Sequence, residues 1–273
     1  MSLTMGPGPL ARRPAGVFNG DVRVPQHLLY FEPTVKRIRV EFAGETVAKS
    51  ERVMILHETG HLPVYYFPDE DVRMDLLECT DHATRCPAKG EAAYWTVRAG
   101  EKRADNAVWG YLDPLPSAKW LTGYVAFCWE AMDAWYEEDE RVFGHPHDPY
   151  SRIDVLKGSR RVKVSIDGTV VAESTRPMLL FETGLPPRYY LPREHVRIDL
   201  LDDSDKVTWC AYKGQARYWS VHTDRGVVPD VVWSYEDPLF DAGRVRDMFC
   251  FFNERVDLEV DGEAQERPRT QWS

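Results

Sequence analysis

The residues of this chain with the clearest chemical potential are a glutamate and a lysine that occur twice in the same setting. Glu58 stands before a Thr-Gly pair and Lys89 before a glycine, and both recur 124 positions later as Glu182 and Lys213. The carboxylate could act as a general base, and the lysine could stabilise developing negative charge. Capping of the turn by the glutamate and a plain Glu–Lys ion pair are the alternative interpretations. These four residues are the candidate catalytic residues.

Tyrosines and tryptophans accompany this pair in both places, and each ring could either fill a core or form the wall of a ligand site. A charged side chain at a strand end or a turn is costly to bury without a partner. We therefore expect each glutamate and lysine to pair or to face a cavity with aromatic walls. The predicted ligand-binding residues are Glu58, Tyr66, Lys89, Trp109 and Tyr111, repeated as Glu182, Tyr190, Lys213, Trp233 and Tyr235.

Cys86 and its copy Cys210 could be nucleophiles, since a lysine follows each of them three residues later. A nucleophilic thiol also needs a nearby base. No histidine occupies equivalent positions in the two halves, because His57 aligns with Phe181, and a buried, inert thiol is the favoured interpretation. His57 and His61 have a spacing that binds metal on a helix, but their segment reads as strand and turn. We predict no metal site, no disulfide and no cofactor.

The shared spacing extends well beyond these candidate residues. An offset of 124 aligns residues 36–140 with residues 160–264 without a gap, and the identities are densest in residues 50–97. Self-similarity over such a length indicates a duplicated structural unit. Two units of about 120 residues each also suit the typical size of a small domain.

The sequence of each repeat indicates β-structure. Ile38, Val40 and Phe42 alternate with polar residues, a period of two that indicates one buried and one exposed face. The pairs Ala43-Gly44 and Asp167-Gly168 follow such runs and favour tight hairpins. Further strands are predicted at Met54–Leu56, Tyr65–Phe67, Val72–Leu77, Ala92–Val97 and Val108–Tyr111, and a short helical turn near Ser117–Leu121. We predict an all-β fold, a tandem pair of similar compact antiparallel β domains with few short helical turns.

The predicted domain boundaries follow the repeat. Residues 1–27 have no counterpart and are expected to form a flexible N-terminal arm. The first β domain covers residues 28–142 and the second covers residues 160–273. Between them, residues 143–159 are predicted to be a linker, because this segment begins with a stretch rich in proline, glycine and histidine that has no apolar period.

The repeated motif is specific enough to indicate a family. In each half it reads Glu-Thr-Gly, Tyr-Tyr-x-Pro, Cys, Lys-Gly, Tyr-Trp, Trp-x-Tyr and Asp-Pro, in that order. This order resembles the domain-of-unknown-function 427 family, present here as two tandem copies. The resemblance implies a β-tent-like unit, similar to methionine sulfoxide reductase B and the cereblon ligand-binding domain. Some classifications label the family as nucleotidyltransferase-like. Those β-tent proteins hold zinc through Cys-x-x-Cys pairs, which this sequence lacks.

Composition narrows the function classes further. The formal charge of −10 disfavours a protein that coats nucleic acid, since that role needs clustered Lys and Arg. No apolar run approaches the roughly 18 residues of a membrane span, and the N-terminal segment lacks the apolar stretch of a secretory signal. The odd number of cysteines, five, favours reduced thiols. We expect a cytoplasmic protein that binds neither nucleic acid nor membranes.

Three functions remain open at this point. In the first, an aromatic Glu/Lys cleft in each domain binds a small molecule. In the second, the protein is an enzyme that uses the same Glu, Lys and Tyr set for acid–base catalysis or for nucleotidyltransferase-like transfer. In the third, the aromatic residues all lie in the core and the protein is a structural or partner-binding module. The sequence leaves the oligomeric state open as well.

Overall fold

The structure is a computed structural model that describes residues 3–21, 24–270 and 272–273. It contains two compact units, Leu3–Asp148 and Pro149–Ser273, which we call the first half and the second half. The boundary between them lies inside the segment 143–159 that was predicted as a linker, and residues 153–157 of that segment form a strand of the second half. The described residues of the predicted N-terminal arm belong to the first half.

The first half contains a seven-stranded and a four-stranded sheet, both antiparallel. Its strands are β1 (Leu29–Pro33), β2 (Ile38–Phe42), β3 (Glu45–Ser50), β4 (Met54–Glu58), β5 (Val64–Pro68), β6 (Leu77–Cys86), β7 (Gly90–Ala99), β8 (Lys102–Gly110), β9 (Tyr124–Phe127), β10 (Ala134–Glu137) and β11 (Glu140–Val142). The larger sheet has the order β1-β4-β5-β9-β8-β7-β6 and the smaller β11-β10-β2-β3. Short 3₁₀ turns occur at Asp69–Asp71, Met74–Leu76, Pro116–Leu121 and Trp129–Ala131.

The second half repeats both sheets. Its strands are β12 (Ile153–Lys157), β13 (Val162–Ile166), β14 (Thr169–Ser174), β15 (Met178–Glu182), β16 (Arg188–Leu191), β17 (Leu201–Cys210), β18 (Gly214–Thr223), β19 (Gly226–Ser234), β20 (Phe249–Phe251), β21 (Asp257–Val260) and β22 (Glu263–Ala264). The larger sheet has the order β12-β15-β16-β20-β19-β18-β17 and the smaller β14-β13-β21-β22. Its 3₁₀ turns are Arg193–His195, Ile198–Leu200 and Phe240–Val245.

The predicted all-β tandem fold is confirmed, and so are two of its predicted hairpins and one helical turn. Both residues of Ala43-Gly44, and both of Asp167-Gly168, have positive φ angles, the conformation of hairpin turns that match the twist of their strands. The helical turn predicted near Ser117–Leu121 is present as Pro116–Leu121. Within the described part of the chain, no helix has the length and apolar character needed to cross a membrane.

The strand predicted at Val72–Leu77 is wrong over most of its length. Met74–Leu76 is a 3₁₀ turn, and β6 begins only at Leu77. The Leu76 amide bonds back to the Arg73 carbonyl at 2.9 Å, so the backbone satisfies its hydrogen bonds locally rather than across a sheet. Alternating apolar and polar residues over such a short run fit successive tight turns as well as a strand.

The structural repeat also differs from the sequence repeat at both ends. β1 and β12 pair with β4 and β15 in the same register, although their sequences, LYFEP and IDVLK, share no identity. At the other end, Val40 pairs with Trp135, while its equivalent Val164 pairs with Leu258. The offset there is one residue shorter, so the predicted gapless alignment does not hold through the last strands.

The larger sheet of the first half is apolar on both faces. Tyr65 and Phe67 of β5 point towards the smaller sheet and pack in one cluster with Ile38 and Val40. Tyr66, between them in sequence, packs in a separate cluster that includes Leu121 of the 3₁₀ turn and covers the opposite face. The second half has the same two clusters. The candidate residues lie with the second of these clusters.

Candidate functional site

Glu58 and Lys89 reach the same point of the first half from two elements. Glu58 is the last residue of β4, opposite Leu29 of β1. Lys89 lies in the turn between β6 and β7, and its carbonyl accepts a hydrogen bond from the Leu115 amide at 2.9 Å. Gly90 has a φ angle of +109°, and a Cβ atom there would come within 3.2 Å of the Leu115 nitrogen. Only glycine suits this position, which brings Lys89 to the end of β4.

The two side chains form a largely buried ion pair. Lys89 Nζ donates to Glu58 Oε2, and His27 Nε2 lies 2.8 Å from Glu58 Oε1, so both carboxylate oxygens are engaged. Burial alone would raise the pKa of the Glu58 carboxyl, but the hydrogen bonds from Lys89 and His27 hold that pKa below its ordinary value. Glu58 is therefore ionised at neutral pH and is a weak base.

The aromatic side chains of the first half are linked to each other. Trp109 Nε1 of β8 donates to the hydroxyl of Tyr66 on β5 at 3.3 Å. Burial raises the pKa of the Tyr66 hydroxyl far above its ordinary value, so the group keeps its proton. Tyr111 is buried as well, and the centre of its ring lies 5.9 Å from Lys89 Nζ. Trp109 itself is only half-buried.

These side chains surround an open cleft of about 520 Å³, which we call the first-half cleft. Its apolar lining includes Leu56, Leu62, Val64, Pro87 and Trp109. Its polar lining includes Glu58, Lys89, Tyr66, His27 and His61. Four of the five residues predicted for this half therefore meet at one concave surface, and the fifth, Tyr111, lies beside Lys89. Their role in ligand binding stays a prediction.

The second half repeats the polar arrangement. Lys213 Nζ donates to Glu182 Oε2 at 2.5 Å, and Trp233 Nε1 donates to the Tyr190 hydroxyl at 3.1 Å. Tyr235, the last predicted residue, is buried near Tyr190, with the ring centres 6.5 Å apart. Burial alone would lower the pKa of the Lys213 ammonium, but nearby Cys210 and Glu182 raise that pKa above its ordinary value.

A second buried ion pair covers the aromatic wall of the second half. Arg188, at the start of β16, donates two hydrogen bonds to Glu254, at 2.7 and 2.8 Å. The guanidinium carbon lies 5.5 Å from the ring centre of Trp233 and 5.5 Å from that of Trp272, within cation–π range. Trp233 is only 6% exposed. Val64, which lines the first-half cleft, is the equivalent of Arg188.

The sequence does not indicate two residues that shape these sites. His27 falls within the predicted flexible arm, and nothing in the repeat points to it, since Ser151 stands at the aligned position. Arg188 lies outside the repeated motif as well. The difference from Val64 is visible in the alignment, but a lone charged residue in a strand usually indicates a solvent-exposed position. Only the position of Glu254, far away in sequence, shows that this arginine is buried.

The thiols and the potential metal ligands add little to these sites. All five cysteines are free, and Cys86 lines the first-half cleft. In the parts of the chain that the structure describes, no group of three or more His, Cys, Asp or Glu side chains is arranged to hold a metal ion. The zinc-binding Cys-x-x-Cys pairs of the β-tent proteins have no equivalent among these residues.

A family model described as a domain of unknown function, DUF427, with the short name NTP_transf_9, matches residues 30–138 and again residues 154–262. The two matches cover most of the chain. The chain belongs to the DUF427 family. The resemblance to two tandem copies of this family is thus confirmed, and each match begins at the second residue of the first strand of its half, β1 or β12. A comparison with curated proteins found no match.

Proposed function

We propose that the first half of this DUF427 protein binds a small molecule in the first-half cleft. The observation that supports the proposal is the convergence of a buried Glu58–Lys89 pair, Tyr66 and Trp109 on an open volume of about 520 Å³. Small-molecule sites typically combine apolar and aromatic walls with a few oriented polar groups. In the second half the Arg188 side chain lies over the equivalent wall, and for this reason we assign binding to the first half.

An enzymatic role is the second candidate, and the geometry supports it less. A general base works best with a pKa near the working pH, whereas the pKa of Glu58 is lowered and both of its oxygens are engaged. Nucleotidyl transfer, which the short name of the family suggests, would need carboxylates free to hold a metal-bound nucleotide. A purely structural role is also less supported, because Trp109 is only half-buried and borders an open volume.

We also propose a cytoplasmic location and no nucleic-acid or membrane partner. Free thiols support a reducing compartment. The net charge of −10 supports the absence of a nucleic-acid partner, since it opposes approach to a phosphate backbone.

A thermal-shift screen with a matched pair of variants tests the binding proposal. Val64→Trp places a large uncharged ring in the cleft wall, where we expect it to fill part of the open volume beside Trp109. Val35→Trp makes the same change at a position that is 97% exposed. A ligand at 100 times its Kd should add roughly 2.7 kcal/mol to stability. We expect ligands that stabilise the wild type and Val35→Trp but not Val64→Trp. Ligands that stabilise all three proteins equally would contradict binding in this cleft.

A further inference from the structure

The hydrogen-bonding groups that remain for a ligand in the first-half cleft are mainly donors. Glu58, the carboxylate that lines the cleft, already accepts from Lys89 at one oxygen and lies within hydrogen-bond distance of His27 at the other. An ammonium group has three N–H donors, and Lys89 uses one of them on Glu58. Among the described residues, no other acceptor is bonded to Lys89. Two donors of this buried group therefore remain for a ligand.

The Tyr66 hydroxyl provides a further donor. Its oxygen accepts a hydrogen bond from Trp109 Nε1, which orients the hydroxyl and leaves its own proton to be donated. The His61 ring lies on the rim of the same cleft and makes no side-chain hydrogen bond with the described residues. An imidazole there can donate a hydrogen bond to a ligand.

The charges and the apolar walls of the cleft narrow the chemical class of the ligand further. Lys89 balances the charge of Glu58, so the ion pair leaves no surplus negative charge in the cleft to oppose an anion. Leu56, Val64 and the planar indole of Trp109 supply an apolar surface next to these donors. A matching ligand carries an acceptor-rich, negatively charged group at one end and a flat apolar body at the other.

We propose that the ligand of the first-half cleft is a small organic anion, a carboxylate or a phosphate ester. Its oxygens accept hydrogen bonds from Lys89 and Tyr66, and its apolar body packs on Trp109. This inference rests on the proposed function. The second half supports it by contrast, since Ser151 and Leu185 stand where the first half has His27 and His61, and the guanidinium of Arg188 is committed to Glu254.

The test compares probes of nearly the same shape and different charge. Benzoate, neutral benzamide and cationic benzamidine are titrated into the full-length protein and followed by isothermal calorimetry and by the Trp109 indole N–H signal in NMR spectra. Phenyl phosphate is the fourth probe and separates phosphate from carboxylate recognition. We expect both anions to bind roughly tenfold more tightly than benzamide, because that ratio corresponds to the free energy of one charged hydrogen bond. Benzamidine should bind least tightly.

Variants connect this preference to the named residues. His61→Leu introduces the second-half residue, and Lys89→Met removes the ammonium group. Each should reduce the ratio of benzoate to benzamide affinity severalfold, while benzamide still binds. Lys213→Met makes the same change in the second half and should leave the ratio unchanged.

The possible outcomes separate the two proposals. If benzamide or benzamidine binds as well as benzoate and shifts the Trp109 signal, the cleft binds ligands but the anion proposal is wrong. An anion preference that survives both His61→Leu and Lys89→Met would also overturn the proposal. If none of the four probes binds or moves the Trp109 signal, the proposed function fails together with the ligand class.

Discussion

The two halves have the same sheets and the same Glu–Lys pair, yet they differ at the start of one strand. In the first half, β5 begins with Val64 at the edge of an open cleft. In the second half, β16 begins with Arg188, whose guanidinium lies over Trp233 and binds Glu254. Arg188 thus changes the environment of an aromatic wall that both halves share.

The partner of that arginine is present in both halves. Glu254 corresponds to Glu130, which is exposed in the first half, with the Cys128 sulfur 3.6 Å from its carboxylate. A buried ion pair contributes little net stability compared with apolar residues of the same volume, but losing one of its partners is costly. We infer that the Arg188–Glu254 pair occupies the space over Trp233 and adds little to the stability of the second half. In the first half, the equivalent space remains open for a ligand.

Arg188→Val, which introduces the residue of the first half at this position, should have the largest effect on the free energy of unfolding. The Glu254 side chain is fully buried and would lose its cation, which should cost about 3–5 kcal/mol in the free energy of unfolding. Urea denaturation followed by circular dichroism measures the loss. The double variant Arg188→Val/Glu254→Leu should recover most of it, because no unpaired charge then remains buried.

The control for this prediction is Arg217→Val, which breaks an ion pair with Glu236 whose side chains are about half exposed. It should cost less than about 1 kcal/mol. Equal costs for Arg188→Val and Arg217→Val would show that the Arg188–Glu254 pair is not buried in solution, and the contrast between the halves would lose its basis.

A second contrast between the halves concerns acid stability. Glu137 of β10 is buried in the first half, and Val260 takes its position in the second. Burial alone would raise the pKa of Glu137, but His147 Nδ1 at 3.0 Å and Lys36 Nζ at 2.5 Å lower it to about 2. Tyr65 donates to the same carboxylate at 2.8 Å.

This lowered pKa predicts a stability contribution that depends on pH. Because the folded pKa lies below the ordinary value of 4.5, the contribution, about 3 kcal/mol, is complete above pH 5 or so and is lost as the pH falls towards 2. Glu137→Gln should reduce the difference in unfolding free energy between pH 7 and pH 3 by about 2 kcal/mol. Glu140→Gln, at an exposed position, should not. An unchanged pH dependence in Glu137→Gln would contradict the assignment.

The features that could be predicted from the sequence are those encoded by neighbouring residues. Alternation in Ile38–Phe42 predicts a strand, Ala43-Gly44 predicts a hairpin, and repetition of Glu58 and Lys89 predicts that they meet. The contact of His27 with Glu58 could not be predicted, since it depends on the path of a segment without periodicity. Burial of Arg188 likewise depends on Glu254, 66 residues away, and on a tertiary contact that no local pattern records.

The Glu–Lys pairs themselves should respond unequally to the loss of the lysine. Lys213→Met leaves Glu182 buried without a cation and should cost about 3 kcal/mol. Lys89→Met leaves Glu58 hydrogen-bonded to His27, and a retained charged hydrogen bond should reduce the cost by roughly 1–2 kcal/mol. Urea denaturation of both variants measures the difference. Adding His27→Ser to Lys89→Met should abolish it, and equal costs for the two single variants would contradict a supporting role for His27.

The smallest effect is expected at the C-terminal end of the chain. Trp272 lies against Arg188 and Phe252 and is 37% exposed, so Trp272→Ala should cost less than about 1 kcal/mol. The variant also allows a local measurement, because loss of the Trp272 ring should shift the NMR indole N–H signal of Trp233.

Trp120→Ala is the matched control, because Trp120 is also 37% exposed and stacks on Phe31 in the first half, with the ring centres 4.7 Å apart. It should leave the Trp233 signal in place. If Trp272→Ala moves no signal of the second half, the terminal ring does not cover Arg188 in solution. The closed wall over Trp233 would then depend on the Arg188–Glu254 pair alone, and Arg188→Val/Glu254→Leu would be sufficient to open it.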